Sequence, residues 1–256
     1  MNDPAPPPVA NPLFKWLITG LPLGLIVMSL LSIPFYLEKR RQRDAPHPSK
    51  FAAMLRKDLN DQEFQNYKRI FNQEIGERSL AQLGNLEASA SYIESSMGID
   101  NMGYEIVRRE FEGAKDQTFV HIEAELSGKS KPRQLVLVAA RYDGTNGQAP
   151  AALLCLAHAF TGKPLPKTIR FVAFSLLPKS DPSSEAFRYY REIIDSRAFD
   201  SVNLVALGAP ADVAVLEAGL KERVDGADSV VITENASLTD LKNAEGLVLK
   251  LAGGGE

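Results

Sequence analysis

The chain has 256 residues, 45% of them hydrophobic and 24% charged, which excludes a wholly disordered or collagen-like protein. Its 29 basic and 32 acidic side chains leave a net charge of −3, so no basic excess draws it onto nucleic acid and no such partner is expected. A single cysteine, Cys155, excludes an intramolecular disulfide and any multi-cysteine zinc or iron–sulfur site.

Residues 1–12, MNDPAPPPVANP, hold five prolines and no apolar face, and read as an extended tail. From Trp16 to Leu37, 22 successive residues carry no charge. As a helix they would run about 33 Å, enough to cross the hydrocarbon core of a bilayer. Gly20, Pro22, Gly24 and Pro34 are tolerated in such spans, and Trp16 and Tyr36 suit the two interfaces. No small-residue cleavage pattern follows, so residues 13–38 are expected to form one uncleaved transmembrane helix in a bacterial-type cell membrane, with the lipid bilayer as partner. Residues 39–72 read as a basic and then helical connector, and 73–256 as one α/β domain. Residues 51–256 carry 23 basic and 29 acidic side chains, a mildly acidic surface.

Within the connector, residues 51–72 have amphipathic helical spacing. Asn85 reads as the cap of a helix that Gly98 stops. Residues 104–111 and 117–126 read as strands. In the second, Val120, Ile122, Ala124 and Leu126 alternate with His121, Glu123 and Glu125, as in a half-exposed antiparallel strand with His121 in water. Residues 134–140, QLVLVAA, form a continuous apolar run, the pattern of a strand covered on both faces. Residues 149–160 have helical period, 168–176 read as a second buried strand and 182–196 as a helix. Strands are expected at 202–207, 230–233 and 247–251, with helices near 211–223 and 236–244. The alternation predicts a three-layer α/β sandwich with a mixed, mainly parallel central sheet.

The chain lacks G-x-S-x-G, H-E-x-x-H, Walker and G-x-G-x-x-G motifs. His47 reads as solvated, His158 as packed in its helix, and Cys155, among Leu154, Leu156 and Ala157, as a buried inert thiol. In open α/β sheets ligands bind beyond the carboxyl ends of the strands. Those ends are Arg141-Tyr142-Asp143-Gly144-Thr145-Asn146-Gly147, Ser175-Leu176-Leu177-Pro178 and Gly208-Ala209-Pro210.

Five segments in register carry a resemblance. They are Ile75-Gly76-Glu77-Arg78 with Ala90-Ser91-Tyr92-Ile93 and Gly103-Tyr104-Glu105-Ile106-Val107, then VLVAARYDG, APAALLCLAHAF, PKTIRFVAFS and VNLVALG. From Ile75 to Gly208 the chain resembles the zinc-dependent aminopeptidase family of bacterial leucyl aminopeptidases, glutaminyl cyclases, the transferrin receptor ectodomain and nicastrin. The resemblance implies a metal cleft at the strand ends, and it implies that the cleft is degenerate here. Arg141 stands where the family has a zinc-binding histidine, whereas Asp143 matches the aspartate of the same motif. Gly144-Thr145-Asn146 replaces the segment with the bridging aspartate. Leu177 and Pro178 replace the paired glutamates, and Val205 replaces a further aspartate. No histidine follows His158 to serve as the last ligand, and the resemblance implies a chain that ends short of the family's C-terminal half.

A hydrolytic zinc centre needs three or four N, O or S ligands and an activated water. The resemblance therefore implies no catalytic residue, no metal and no cofactor. The expectation is a membrane-anchored pseudoenzyme, an accessory or scaffold subunit contacting other subunits of a membrane complex. One alternative is a peptide- or carboxylate-binding module using a vestigial cleft of Arg141, Tyr142, Asp143, Asn146, Ser175, Leu177, Pro178 and Val205. Arg141 and Asp143 could instead simply pair with each other. A second alternative is a membrane-bound zinc aminopeptidase with displaced ligands. Topology stays open. Lys39, Arg40, Arg41 and Arg43 follow the span and only Lys15 precedes it, which argues for a cytoplasmic domain. Anchored members of the resembled family place the domain outside, and this tips the expectation to the extracytoplasmic side.

Overall fold

β3 (Lys131–Arg141) holds the centre of the sheet because Leu135–Ala140 is apolar on both faces and both faces are covered. The structure is a computed structural model that describes residues 50–112, 117–177, 184–196 and 199–254. The expected tail, the transmembrane segment 13–38, the basic cluster Lys39–Arg43 and His47 lie outside the described residues, as does Pro178. Among the described residues no helix is long and apolar enough to cross a membrane.

Six strands form one sheet in the order β1-β2-β4-β3-β5-β6, with β1 Ile106–Glu112, β2 Thr118–Leu126, β4 Lys167–Phe174, β5 Ser201–Gly208 and β6 Gly226–Val231. β3 runs parallel to β4 and β5, and β5 parallel to β6, while β2 is antiparallel to both β1 and β4. The sheet is thus mixed and mainly parallel, as its apolar runs imply.

The pleat sends alternate residues to two cores. Val136, Val138, Ala140, Phe171, Ala173, Val205 and Leu207 face one side. There they meet α2 (Asp61–Arg69), α3 (Leu83–Met97), α4 (Gln148–Phe160) and α7 (Leu238–Ala252). Leu135, Leu137, Ala139, Val172, Phe174, Leu204 and Ala206 face α5 (Glu185–Ser196) and α6 (Pro210–Leu220) on the other. Every residue of α4 is buried, which explains a helix apolar all round and rich in alanine. Phe64, Tyr67 and Phe71 bring the end of the expected connector into the core. Ahead of it stands a six-residue helix, α1 (Lys50–Leu55).

Four sequence expectations are corrected. Residues 247–251 form no strand; they continue α7, whose Leu241, Ala244, Val248 and Ala252 make one buried helical stripe. Its ends are marked by the Ser237 N–H donating to Asp240 Oδ2 at 2.8 Å and by Gly253 at φ +76°, a left-handed stop. β6 begins earlier than expected, at Gly226. Asn85 does not cap α3; the cap position is Gln82, and the Asn85 amide donates to the Glu77 carbonyl at 3.0 Å. β2 alternates as read, but α5 covers its second face, so His121 and Glu123 are buried rather than solvated. His121 stacks on Phe111 with ring centres 4.6 Å apart, and burial pushes its value down to about 3, which keeps the ring neutral.

Candidate functional site at the carboxyl ends of the parallel strands

The strand ends bring together a charged triad. Arg141, the last residue of β3, directs Nε to Asp143 Oδ1 at 2.8 Å and Nη2 to Asp143 Oδ2 at 3.1 Å, a two-pronged pair. Its Nη1 donates to Asp212 Oδ1 at 3.0 Å. Asp212 stands in the first turn of α6, where a carboxylate also complements the helix dipole. The Asp143 side chain is 0% exposed, and those of Arg141 and Asp212 are 19% and 18% exposed. Asp143 Oδ1 also accepts the Leu176 N–H at 3.2 Å, which ties the end of β3 to the segment after β4. Burial pushes the Asp143 carboxyl upward from the ordinary aspartate range, and the Arg141 charge and fork oppose that push.

Below this triad a second arginine fixes the loop. Arg78 is fully buried. Its backbone exchanges hydrogen bonds with Gly144, at 3.0 and 2.7 Å, and its Nε donates to the Tyr142 carbonyl at 2.6 Å. Its Nη1 donates to the carbonyls of Phe71 and Gly76 at 2.7 and 2.6 Å. The Phe71 carbonyl lies in a π-helical turn, Ile70–Ile75, closed by the Gly76 N–H; Gly76 then turns at φ +81°. Burial lowers the Arg78 guanidinium to about 10, so it stays charged at neutral pH. Asn72, in the same turn, accepts the Gly147 N–H at 2.9 Å, and Asn146 accepts the Gln148 N–H at 2.8 Å, so both side chains take up backbone donors where the chain enters α4. Gly147 is required there, because a Cβ would lie 2.5 Å from Asn72 Oδ1.

Of the eight residues expected to line one cleft, Arg141 and Asp143 form an ion pair at the strand ends, while Tyr142 and Ser175 meet in the core instead. Tyr142 points into the core and donates its hydroxyl to the Val120 carbonyl at 2.9 Å. Ser175 is buried beside that hydroxyl, and its N–H meets His121 Nδ1 at 3.3 Å. Asn146 is taken up by the Gln148 N–H. Leu177 is half-buried against the α4-side core, and Val205 pairs with Val138 in mid-strand, also buried. Pro178 lies outside the described residues. Sequence reasoning missed Asp212 and the locking role of Arg78. The only signal for Asp212 was an acid in a helix first turn just after a strand end. Cys155 is buried as expected, and burial pushes its thiol up.

No known protein family matches the chain by sequence, and no curated protein does. Solved structures resemble it in fold. The glutaminyl cyclase of Porphyromonas gingivalis superposes with a TM-score of 0.56 at 11% identity, over 76% of this chain and 98% of that one. The glutaminyl cyclase of Fimbriiglobus ruber gives 0.53 at 14% identity, over 78% and 97%. A leucine aminopeptidase precursor of Bacteroides thetaiotaomicron gives 0.52 at 10% identity, over 78% and 98%. The motifs matched in the sequence stop at Gly208, but the superposed spans run over nearly the whole of these neighbours, which corrects the expectation that the chain ends short of their C-terminal half. The chain therefore has the fold of the aminopeptidase and glutaminyl cyclase type.

Proposed function

We propose that the chain is a membrane-anchored, catalytically inactive peptidase-like domain that serves as an accessory or scaffold subunit of a membrane complex. The observation that supports this reading is the Arg141 guanidinium held between Asp143 and Asp212 at the strand ends. A zinc ion in that place would have these two carboxylates as donors, and a fixed cation already binds both. Among the described residues no group of three or more His, Cys, Asp or Glu converges on a point where a metal ion would sit. The residues present do not fit the metal that the fold family implies. Leu177 and Val205 add no donor atom. Carboxylate binding is disfavoured by the same geometry, since the arginine fork that would receive a carboxylate is engaged on both prongs by Asp143.

The apolar segment 13–38 supports the anchor, and the resemblance to anchored members of the aminopeptidase family favours the extracytoplasmic side for the domain. The test is purification of the full chain from native membranes in mild detergent, followed by identification of co-purifying proteins, metal analysis and turnover of aminoacyl fluorogenic substrates with added zinc. A stoichiometric protein partner without zinc-dependent turnover is expected. A lone monomer, or stoichiometric zinc with chelator-sensitive turnover, overturns the reading.

A further inference from the structure

We propose that Glu63 and His158 form a proton-dependent latch that fastens the entering helices α1 and α2 to α4 and loosens α1 as pH rises. His158 lies on α4 with both ring nitrogens engaged. Nε2 is 2.9 Å from the Leu55 carbonyl, and Nδ1 is 2.7 Å from Glu63 Oε1. A carbonyl only accepts, so the Nε2 contact needs the hydrogen on the ring. A neutral imidazole has one N–H, and Leu55 takes it. The Nδ1 contact to Glu63 therefore holds a further proton, either on the ring with Glu63 ionised or on the Glu63 carboxyl with the ring neutral. In both forms the docked pair binds one proton more than a neutral imidazole and a free carboxylate. Without it, the Nδ1 lone pair faces a carboxylate oxygen at hydrogen-bond distance.

The pair is largely shielded from water. The side chains of His158 and Glu63 are 6% and 15% exposed. Burial pushes Glu63 up, but its hydrogen bond and charge contact with His158, aided by Lys57, outweigh this and hold it below the usual glutamate value. The Tyr67 hydroxyl of α2 donates to Glu63 Oε1 at 3.3 Å, and burial pushes that phenol up, as it does Tyr92 of α3 and Cys155 of α4. These three groups stay neutral from pH 5 to 8.5. From α7, Glu245 reaches Lys163 beyond the end of α4.

The two helices depend on the latch unequally. α2 buries Phe64 and Tyr67 and has other holds on the core. α1 leaves Met54 81% exposed, and its last carbonyl is the one His158 grips. Above about pH 6.5, where a detached imidazole is neutral, docking takes up a proton, and the docking constant falls by up to tenfold per pH unit. The inference stands whether or not residues 13–38 cross a membrane.

The experiment is amide hydrogen exchange of the full chain in detergent between pH 5.5 and 8.5, with each rate divided by the intrinsic rate at that pH. Protection of α1 is expected to fall by up to about 100-fold from pH 6.5 to 8.5, while α3 stays constant. His158→Gln and Glu63→Gln are each expected to flatten the α1 profile. Protection of α1 that is pH-independent in the wild type, or a slope that survives in His158→Gln, overturns the latch. Should the variants fail to fold, nitrogen NMR of the wild-type histidine rings decides. A proton shared between Nδ1 and Glu63 at pH 6 that is lost by pH 8.5 supports the proposal. A single neutral tautomer without that proton at every pH overturns it.

Discussion

Replacing Arg141 with Met removes the guanidinium and keeps most of the side-chain volume. Asp143 is then a carboxylate with no exposed surface, left with the Leu176 N–H as its remaining strong donor and with Asp212 as a like charge nearby. Removing one partner of a buried pair costs about 3–5 kcal/mol, much of it the penalty of the stranded charge. Arg141 and Asp212 are each nearly one-fifth exposed, so water relieves part of that penalty and the expected loss is near the lower end, about 3 kcal/mol. Against a domain stability of about 5–15 kcal/mol this is more than a hundredfold shift toward the unfolded state. Urea unfolding followed by far-UV circular dichroism at pH 7 measures it. The sign with pH is fixed by Asp143. A carboxyl whose folded value lies above its unfolded value penalises the fold above the folded value, and the penalty is gone below the unfolded one. Burial already raises Asp143, and losing Arg141 removes the main opposing charge. The variant's deficit should therefore shrink as pH is lowered from 7 toward the ordinary aspartate range. Adding Asp143→Asn to Arg141→Met should recover at least half of the loss at pH 7. A deficit below about 1 kcal/mol, or one that neither acid nor Asp143→Asn reduces, would refute the account of the triad as a buried, mutually dependent unit.

Three further outcomes are expected. His121 is neutral in the fold, with a value near 3, and ordinary when unfolded; stability should fall as pH drops below about 6.5, by up to about 1.4 kcal/mol per unit, and urea midpoints at pH 7 and 5 should show a slope that His121→Phe abolishes. Gly147→Ala places a Cβ 2.5 Å from Asn72 Oδ1 and Phe71 Cβ; a loss of about 1–3 kcal/mol is expected, larger than that of Asn72→Ala at about 1 kcal/mol, read as melting shifts. Gly253→Ala forces a side chain into φ +76° at the end of α7 and should cost about 1 kcal/mol; no cost in thermal unfolding would count against the left-handed stop.

The parts of the fold legible in the sequence are those whose pattern depends on burial alone. Leu135–Ala140 and Phe171–Phe174 are apolar on both faces because helices cover both faces of the sheet, and a continuous apolar run is the direct trace of that. β2 shows where the trace misleads. Its polar row, His121, Glu123 and Glu125, has the composition of a solvated face. α5 lies over it, however, and neighbouring strands supply partners: Arg109 reaches Glu123, and Arg170 reaches Glu125. Alternation in a strand reports which residues share a face, and only the tertiary neighbours decide whether that face meets water. Residues 247–251 fail for a different reason. Five residues are too few to separate a strand from one turn of a buried helix. The boundary signals that settle it, Asp240 at the start of α7 and Gly253 at its end, stand outside the run.

The strand-end site divides along the same line. Asp143 lies two residues from Arg141, and on the short extended end of a strand that spacing brings a guanidinium back onto a carboxylate, so their pairing was open to inference from sequence. Asp212 is 71 residues further on. It arrives at Arg141 because β5 runs parallel beside β3 and because Pro210 starts α6 immediately past the strand end, which aims the first helical turn back over the sheet. Nothing local marks Asp212 as the partner of a particular arginine, since its neighbours are those of any acid in a helix first turn. Arg78 is hidden still more deeply. It contacts carbonyl groups, of Tyr142, Phe71 and Gly76, which every residue possesses, so no side-chain complementarity exists in the sequence to be found. The identity of each residue at a site is visible in the sequence, Arg141 among them. What such a residue does there depends on which charges the topology delivers to it. Here the topology delivers two carboxylates to one guanidinium, which is held between them.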